Sequence, residues 1–314
     1  MVVAGTIAPL TPATAVGSWT WDIVSAVLIV LVAAGYGWAY HRGRRHENAV
    51  RRSRAVCFGI GVALWIVATM SMIGVYANML FWVRALQVLL LLLVIPFFLA
   101  MGQPVTVLLV GVGPAGRARL ERVLRSRLLR LVAHPATTSL AMLGTPWLFY
   151  LTPWYLAALQ HRPVNTLTQV LFLTIGFGYF YARLQTDPVP RRYSQLLSVL
   201  ISVVETIGDG LLGIVLWLGP LVAADYYLGL HRTWGPSLRT DQSIGAGVLW
   251  ILGDVLGLPF LMVLFRALGA DERAHAAAVD AELDHVDESA AAQDDASTLW
   301  WLNDPQLRER FDKR

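Results

Sequence analysis

The sequence predicts an all-α membrane protein, a bundle of about seven transmembrane helices with its N-terminus outside and its C-terminus inside. Three observations carry that prediction. Several apolar runs reach about 20 residues, the length that crosses a hydrocarbon core. The chain is 56% hydrophobic and 15% charged, with a mean hydropathy of +0.55, whereas a soluble domain carries far more charge. Finally, the arginines segregate between alternate connections, which sets the orientation.

The spans are expected over 18–40, 55–75, 78–101, 135–156, 165–184, 196–218 and 243–266. Residues 1–17 lack a basic n-region and read as a short external segment rather than a cleavable signal. The loop HRGRRHENAVRRSR holds six arginines, GVGPAGRARLERVLRSRLLR holds six more, and TDPVPRR adds Arg191 and Arg192. The opposite connections carry few, Arg162 in one and Arg232 and Arg239 in another. The stretch 104–132 is too rich in arginine for a span. Its Leu120, Val123, Leu124, Leu128 and Leu131 recur at helical spacing, which suits an amphipathic helix on the inner membrane surface.

The span over 135–156 contains Pro135, Pro146 and Pro153, which predict kinks. Trp147, Trp154 and Tyr155 near its outer end read as an interfacial aromatic belt. Residues 267–314 form a polar cytoplasmic tail, expected as a short helix running into disorder, with Trp300 and Trp301 near its end. The net charge of +4 implies no nucleic-acid partner, because the arginines lie beside membrane segments; membrane lipids are the expected partner. Cys57, the single cysteine, rules out a disulfide framework or a CxxC metal site. GVGPAG at 111–116 follows no strand and is not a phosphate loop.

Ionisable residues inside a membrane are costly, roughly 2.5–3.5 kcal/mol each on insertion scales, and so mark functional sites by default. Here they are Arg84, Glu205, Asp209 and Asp254; Asp22 lies at the rim of the first span, within reach of water. Glu205 and Asp209 share one face of a helix. An Arg84–Asp209 ion pair is expected from depth alone, and a proton pathway or a ligand site is the alternative use of the same groups. No histidine falls inside a span, which excludes paired transmembrane haem ligands. No nucleophile–base pair is recognisable, so the chain is not expected to be an enzyme.

The pieces LVIPFFLAMGQPVTVLL, HPATTSLAML, FYLTPWYLAAL, TDPVPRR, ADYYLGL, DQSIGAGVLWILGD and GADER follow one another in an order and spacing that resemble the bacterial cytochrome c oxidase assembly factor family CtaG, in its actinobacterial form. The likeness runs from about Tyr76 to the tail, and more loosely over the first two spans. It implies a seven-span inner-membrane protein that is not an enzyme and assists copper insertion into cytochrome oxidase, with oxidase subunits or a copper-handling protein as partners. The family pattern places histidines where this chain has Arg84, Val88, Leu171 and Asp209, while its acid in the last span is kept as Asp254. The resemblance therefore implies copper, yet its imidazole ligands are replaced, leaving Met72, Met79 and Asp209 as the remaining candidate metal ligands. The function the resemblance implies is assistance to copper delivery to, or assembly of, cytochrome oxidase, with the missing histidines pointing to copper handling that is reduced or lost, as in a copper-independent scaffold. The competing expectation is a proton or metal transporter or channel that uses Glu205, Asp209 and Asp254, with the glycines of VETIGDG allowing local unwinding.

Overall fold

The computed structural model describes residues 9–44, 51–185, 187–188 and 195–296. Among them every regular element is helical. α1 (Pro12–Gly17) is closed by a Thr11–Thr14 capping box. α2 (Ile23–Gly43) starts at Asp22, which accepts from Val24 N at 3.3 Å and from the Ser25 hydroxyl at 2.5 Å. α3 (Arg52–Met70) breaks at Ser71, whose hydroxyl caps α4 (Met72–Tyr76). α5 (Phe81–Leu89) passes through a π-helical turn, Leu90–Val94, into α6 (Ile95–Met101).

That widened turn has an identifiable cause. Pro96 has no N–H to give, so the carbonyl of Leu92 loses its helical partner. The carbonyl lies instead against Gly176, where an added Cβ would collide with it and stand 2.7 Å from Pro96 Cγ. Gly176→Ala is therefore expected to destabilise the bundle by about 1–3 kcal/mol. Gly178→Ala, with nothing within 4 Å of its Cβ position, is expected to be neutral or slightly stabilising. Thermal unfolding of the detergent-solubilised variants checks the contrast.

The stretch predicted as one surface helix over 104–132 is three helices: α7 (Pro104–Gly111), α8 (Pro114–Leu124) and α9 (Arg127–Val132). Pro114 interrupts the first junction and Ser126 caps the start of α9. α7 does not lie on the surface: Val107 is fully buried, and Gly111 meets the backbone of Ala39 on α2. The amphipathic character resides in α8 and α9, where Val123, Leu128 and Leu131 are exposed among the arginines.

α10 (Pro135–Leu151), α11 (Trp154–Gln160) and α12 (Arg162–Leu184) follow. Of the three prolines expected to kink the fourth span, only Pro146 lies inside a helix. Pro135 occupies the first position of α10, and Pro153 precedes α11, both places where a missing N–H is harmless. Tyr155 is not part of an interfacial belt either; it is 1% exposed in the core, and Trp154 packs inward and donates to the Thr168 hydroxyl at 2.8 Å.

α13 (Gln195–Leu218) is unbroken, so the glycines of VETIGDG do not unwind it. Gly208 instead admits Leu143, and Gly213 admits Trp250. α14 (Ala224–Gly229) and α15 (Leu238–Gly247) come next; a second π-helical turn, Val248–Leu252, leads into α16 (Gly253–Ala296). Among the described residues, five helical stretches are long and apolar enough to cross a membrane: Ile23–Gly43, Arg52–Tyr76, Phe81–Met101, Leu200–Leu218 and Leu238–Val263. The expected spans over 135–156 and 165–184 are helical but not among these. The first is broken between Leu151 and Trp154, and the second is diluted by Asn165, Gln169 and Arg183. Their apolar side chains are spent on the core, where Phe149, Tyr150 and Phe172 are buried.

The chain divides into two compact units, Met1–Leu264 and Phe265–Arg314. The described part of the second unit is helical as far as Ala296. Trp300, Trp301, Arg191 and Arg192 lie outside the described residues, as do residues 1–8.

Candidate functional site

Three clusters of buried polar groups stand out among the described residues of the first unit. The first is built by α10, α12 and α13. Arg183, near the end of α12, is 0% exposed. Its Nη2 lies 2.8 Å from Glu205 Oε1 and donates to Ser139 Oγ at 2.6 Å, while Nη1 donates to Ser202 Oγ at 2.9 Å. The other carboxylate oxygen of Glu205 accepts from the Tyr179 hydroxyl at 2.6 Å. Tyr179 and Arg183 are four residues apart on α12 and so share a face; the guanidinium stacks 4.6 Å from the Tyr179 ring. Both charges are thus neutralised and hydrogen-bonded, the condition under which burying an ion pair is tolerated.

Glu205 also borders a cavity of about 260 Å³. Asp209, one turn along α13, and Asp254 at the start of α16 line the same cavity, together with Ser202 and Thr206. The two π-helical turns contribute to its wall through Leu92, Leu93 and Leu249. The structure therefore brings Glu205, Asp209 and Asp254 together. It does not pair Asp209 with Arg84: the ion pairs among the described residues are Arg117–Glu121, Arg183–Glu205 and Arg232–Asp241. Depth alone matched Arg84 to Asp209, but the buried cation facing α13 comes from α12.

Arg84 is held elsewhere. It is 2% exposed and donates from Nη1 to Gln87 Oε1 at 3.0 Å, and its guanidinium lies 5.6 Å from the Phe149 ring. Gln87 is itself fixed by donating Nε2 to the Ala68 carbonyl at 2.8 Å.

The third cluster ties helix ends together. Asp241, 1% exposed, accepts from the backbone N–H groups of Phe81 at 3.1 Å and Trp82 at 3.0 Å, capping α5, and pairs with Arg232 at 3.4 Å. Gln242 accepts from Val222 N at 2.8 Å and donates to the carbonyls of Leu216 and Pro220. Asp187 does the same for α7, accepting from Val105 N at 3.2 Å and from Thr106 N at 2.9 Å.

Sequence reasoning missed Arg183 and Asp241. Arg183 closes a predicted span next to the arginines of TDPVPRR, where it reads as a topology signal; the Tyr179–Arg183 spacing on one face was the available clue. Asp241 precedes the predicted last span and reads as a loop residue. Met72 and Met79 pack with Ile73, Tyr76 and Leu80 in a small apolar cluster. No group of three His, Cys, Asp or Glu side chains suited to a metal ion occurs among the described residues.

These features define a class: a chain helical throughout the regular elements of its described residues, with membrane-length apolar helices and buried charges, among them two ion pairs. The family model described as cytochrome c oxidase caa3 assembly factor matches residues 34–269, and the chain belongs to that family. Similar curated proteins include an uncharacterised protein of Mycobacterium bovis and one of Mycobacterium tuberculosis. Each is 27% identical over 266 residues, covering 82% of this chain and 40% of the relative. An uncharacterised protein of Mycobacterium leprae is 24% identical over 284 residues, covering 88% of this chain and 43% of the relative. The chain thus spans less than half the length of these relatives. No solved structure matches it.

Proposed function

We propose that this chain is a seven-span protein of the bacterial plasma membrane, N-terminus outside and C-terminus inside, that assists cytochrome c oxidase assembly as a non-catalytic, copper-independent scaffold. The family supports a membrane-embedded assembly role. The donor set supports the copper-independent part of the reading. At the places where the family pattern has histidine stand Arg84, Val88, Leu171 and Asp209. Cuprous ion takes soft sulfur and imidazole donors; a guanidinium offers neither, and the candidate thioethers of Met72 and Met79 are spent on packing. α8 and α9 lie on anionic lipid through their arginines and exposed leucines. Oxidase subunits or a copper-handling protein are the partners.

The test has two arms. A host strain lacking the chain is expected to lose assembled cytochrome oxidase and to regain it with the wild-type gene. The purified protein, exposed to cuprous ion under reducing conditions, is expected to retain only background copper. Stoichiometric copper overturns the copper-independent reading; unchanged oxidase in the deletion strain overturns the assembly role.

One observation favours a second reading. Glu205, Asp209 and Asp254 share a cavity, as a proton or metal pathway requires. Proteoliposomes carrying wild-type protein would then support ion flux that Asp209→Asn or Asp254→Asn abolishes, whereas a scaffold shows none.

A further inference from the structure

Arg84 Nε and the Tyr150 hydroxyl are two buried donors that lack an acceptor. The guanidinium presents five N–H groups and cannot shed its charge. Here Nη1 is used by Gln87, and Nε is buried without a partner. No carboxylate among the described residues pairs with Arg84, and its guanidinium sits over the Phe149 ring. An isolated charge in such surroundings is costly unless an anion or a set of acceptors meets it.

The tyrosines near Arg84 are not equivalent. Tyr155 and Tyr227 bond to each other, hydroxyl to hydroxyl, at 2.7 Å. Tyr226 donates to the Asn78 carbonyl at 3.1 Å. Tyr150, 2% exposed, has a buried hydroxyl with no partner, and its ring lies 5.1 Å from that of Phe149, over which the Arg84 guanidinium sits. Tyr150 also lines a cleft of about 380 Å³ whose remaining wall is largely apolar, formed by Leu156, Val215, Leu216, Pro220 and Val222.

We propose that Arg84 and Tyr150 form a binding site for an oxyanion, a carboxylate or phosphate group, reached through this cleft. An oxyanion supplies the charge that Arg84 lacks and an acceptor for the Tyr150 hydroxyl at once. A cation does neither, and a neutral ligand leaves the guanidinium uncompensated. The apolar cleft wall suits a group borne on an acyl chain, so the oxyanion is either free in solution or part of a lipid headgroup.

The experiment is a thermal-unfolding titration of the full-length protein. In uncharged detergent, phosphate or acetate is exchanged for chloride at constant ionic strength. In a second arm, phosphatidylglycerol is titrated into the same phosphate-free, uncharged detergent micelles. The wild type is expected to show a saturable rise of several °C in at least one arm. A rise with soluble phosphate or acetate identifies a free anion; a rise confined to phosphatidylglycerol identifies a headgroup. Arg84→Met is expected to abolish the rise, and Tyr150→Phe to raise the half-saturating concentration about tenfold. No saturable rise in either arm, or a wild-type response from Arg84→Met, overturns the proposal. If Arg84→Met does not fold, Tyr150→Phe decides, because it keeps the ring packing; unchanged half-saturation then overturns it.

Discussion

Glu205→Leu is expected to destabilise the protein by about 3–5 kcal/mol, the cost of breaking a buried pair and leaving one charge behind. The stranded group is Arg183, 0% exposed, whose guanidinium keeps its charge and retains only the hydroxyls of Ser139 and Ser202 from the set described above. Arg183→Met is expected to cost less, because a carboxyl can shed its charge by binding a proton whereas a guanidinium cannot. The double variant Arg183→Met/Glu205→Leu is expected to recover most of the loss, since apolar replacement of a whole buried pair is often neutral. Reversible unfolding in a denaturing detergent measures all three. Additive losses in the double variant would show that the two side chains do not act as a pair.

Asp241→Ala is the second large effect, expected at about 3 kcal/mol or more. It removes the acceptor for two N–H groups at the start of α5 and leaves Arg232, 6% exposed at its side chain, without its carboxylate. Asp241→Asn keeps one side-chain oxygen to accept from Phe81 or Trp82 but not the charge, so it is expected to recover part of the loss. Unfolding midpoints rank the three proteins, and equal midpoints for wild type and Asp241→Ala would show that this cap contributes nothing. The same reasoning explains why DQ and TDP were legible as pieces of a familiar pattern but not as chemistry. In sequence they sit at span ends; in the fold each aspartate closes the N-terminus of a helix about 80 or 160 residues away.

Local physics reaches only so far along this chain. Hydropathy and helical length by themselves determined an all-helical protein with membrane-length helices, because those properties depend on composition within a window of about 20 residues. They also singled out Glu205, Asp209 and Asp254 as costly residues on apolar helices, and the structure brings these to one cavity. The resemblance read from ordered sequence pieces led to the family. Which charges meet was decided by tertiary structure alone. Depth along a helix leaves its rotation and its neighbours open, so Arg84 appeared to face Asp209. Packing of α12 against α10 and α13 instead delivers Arg183 to Glu205, and leaves Arg84 among tyrosines. The breaks at Pro153 in the expected fourth span and at Pro114 within 104–132 have the same origin: a proline that opens a helix and one that kinks it look alike in sequence. The neighbours that accept the freed backbone groups distinguish them, and those neighbours exist only in the folded bundle.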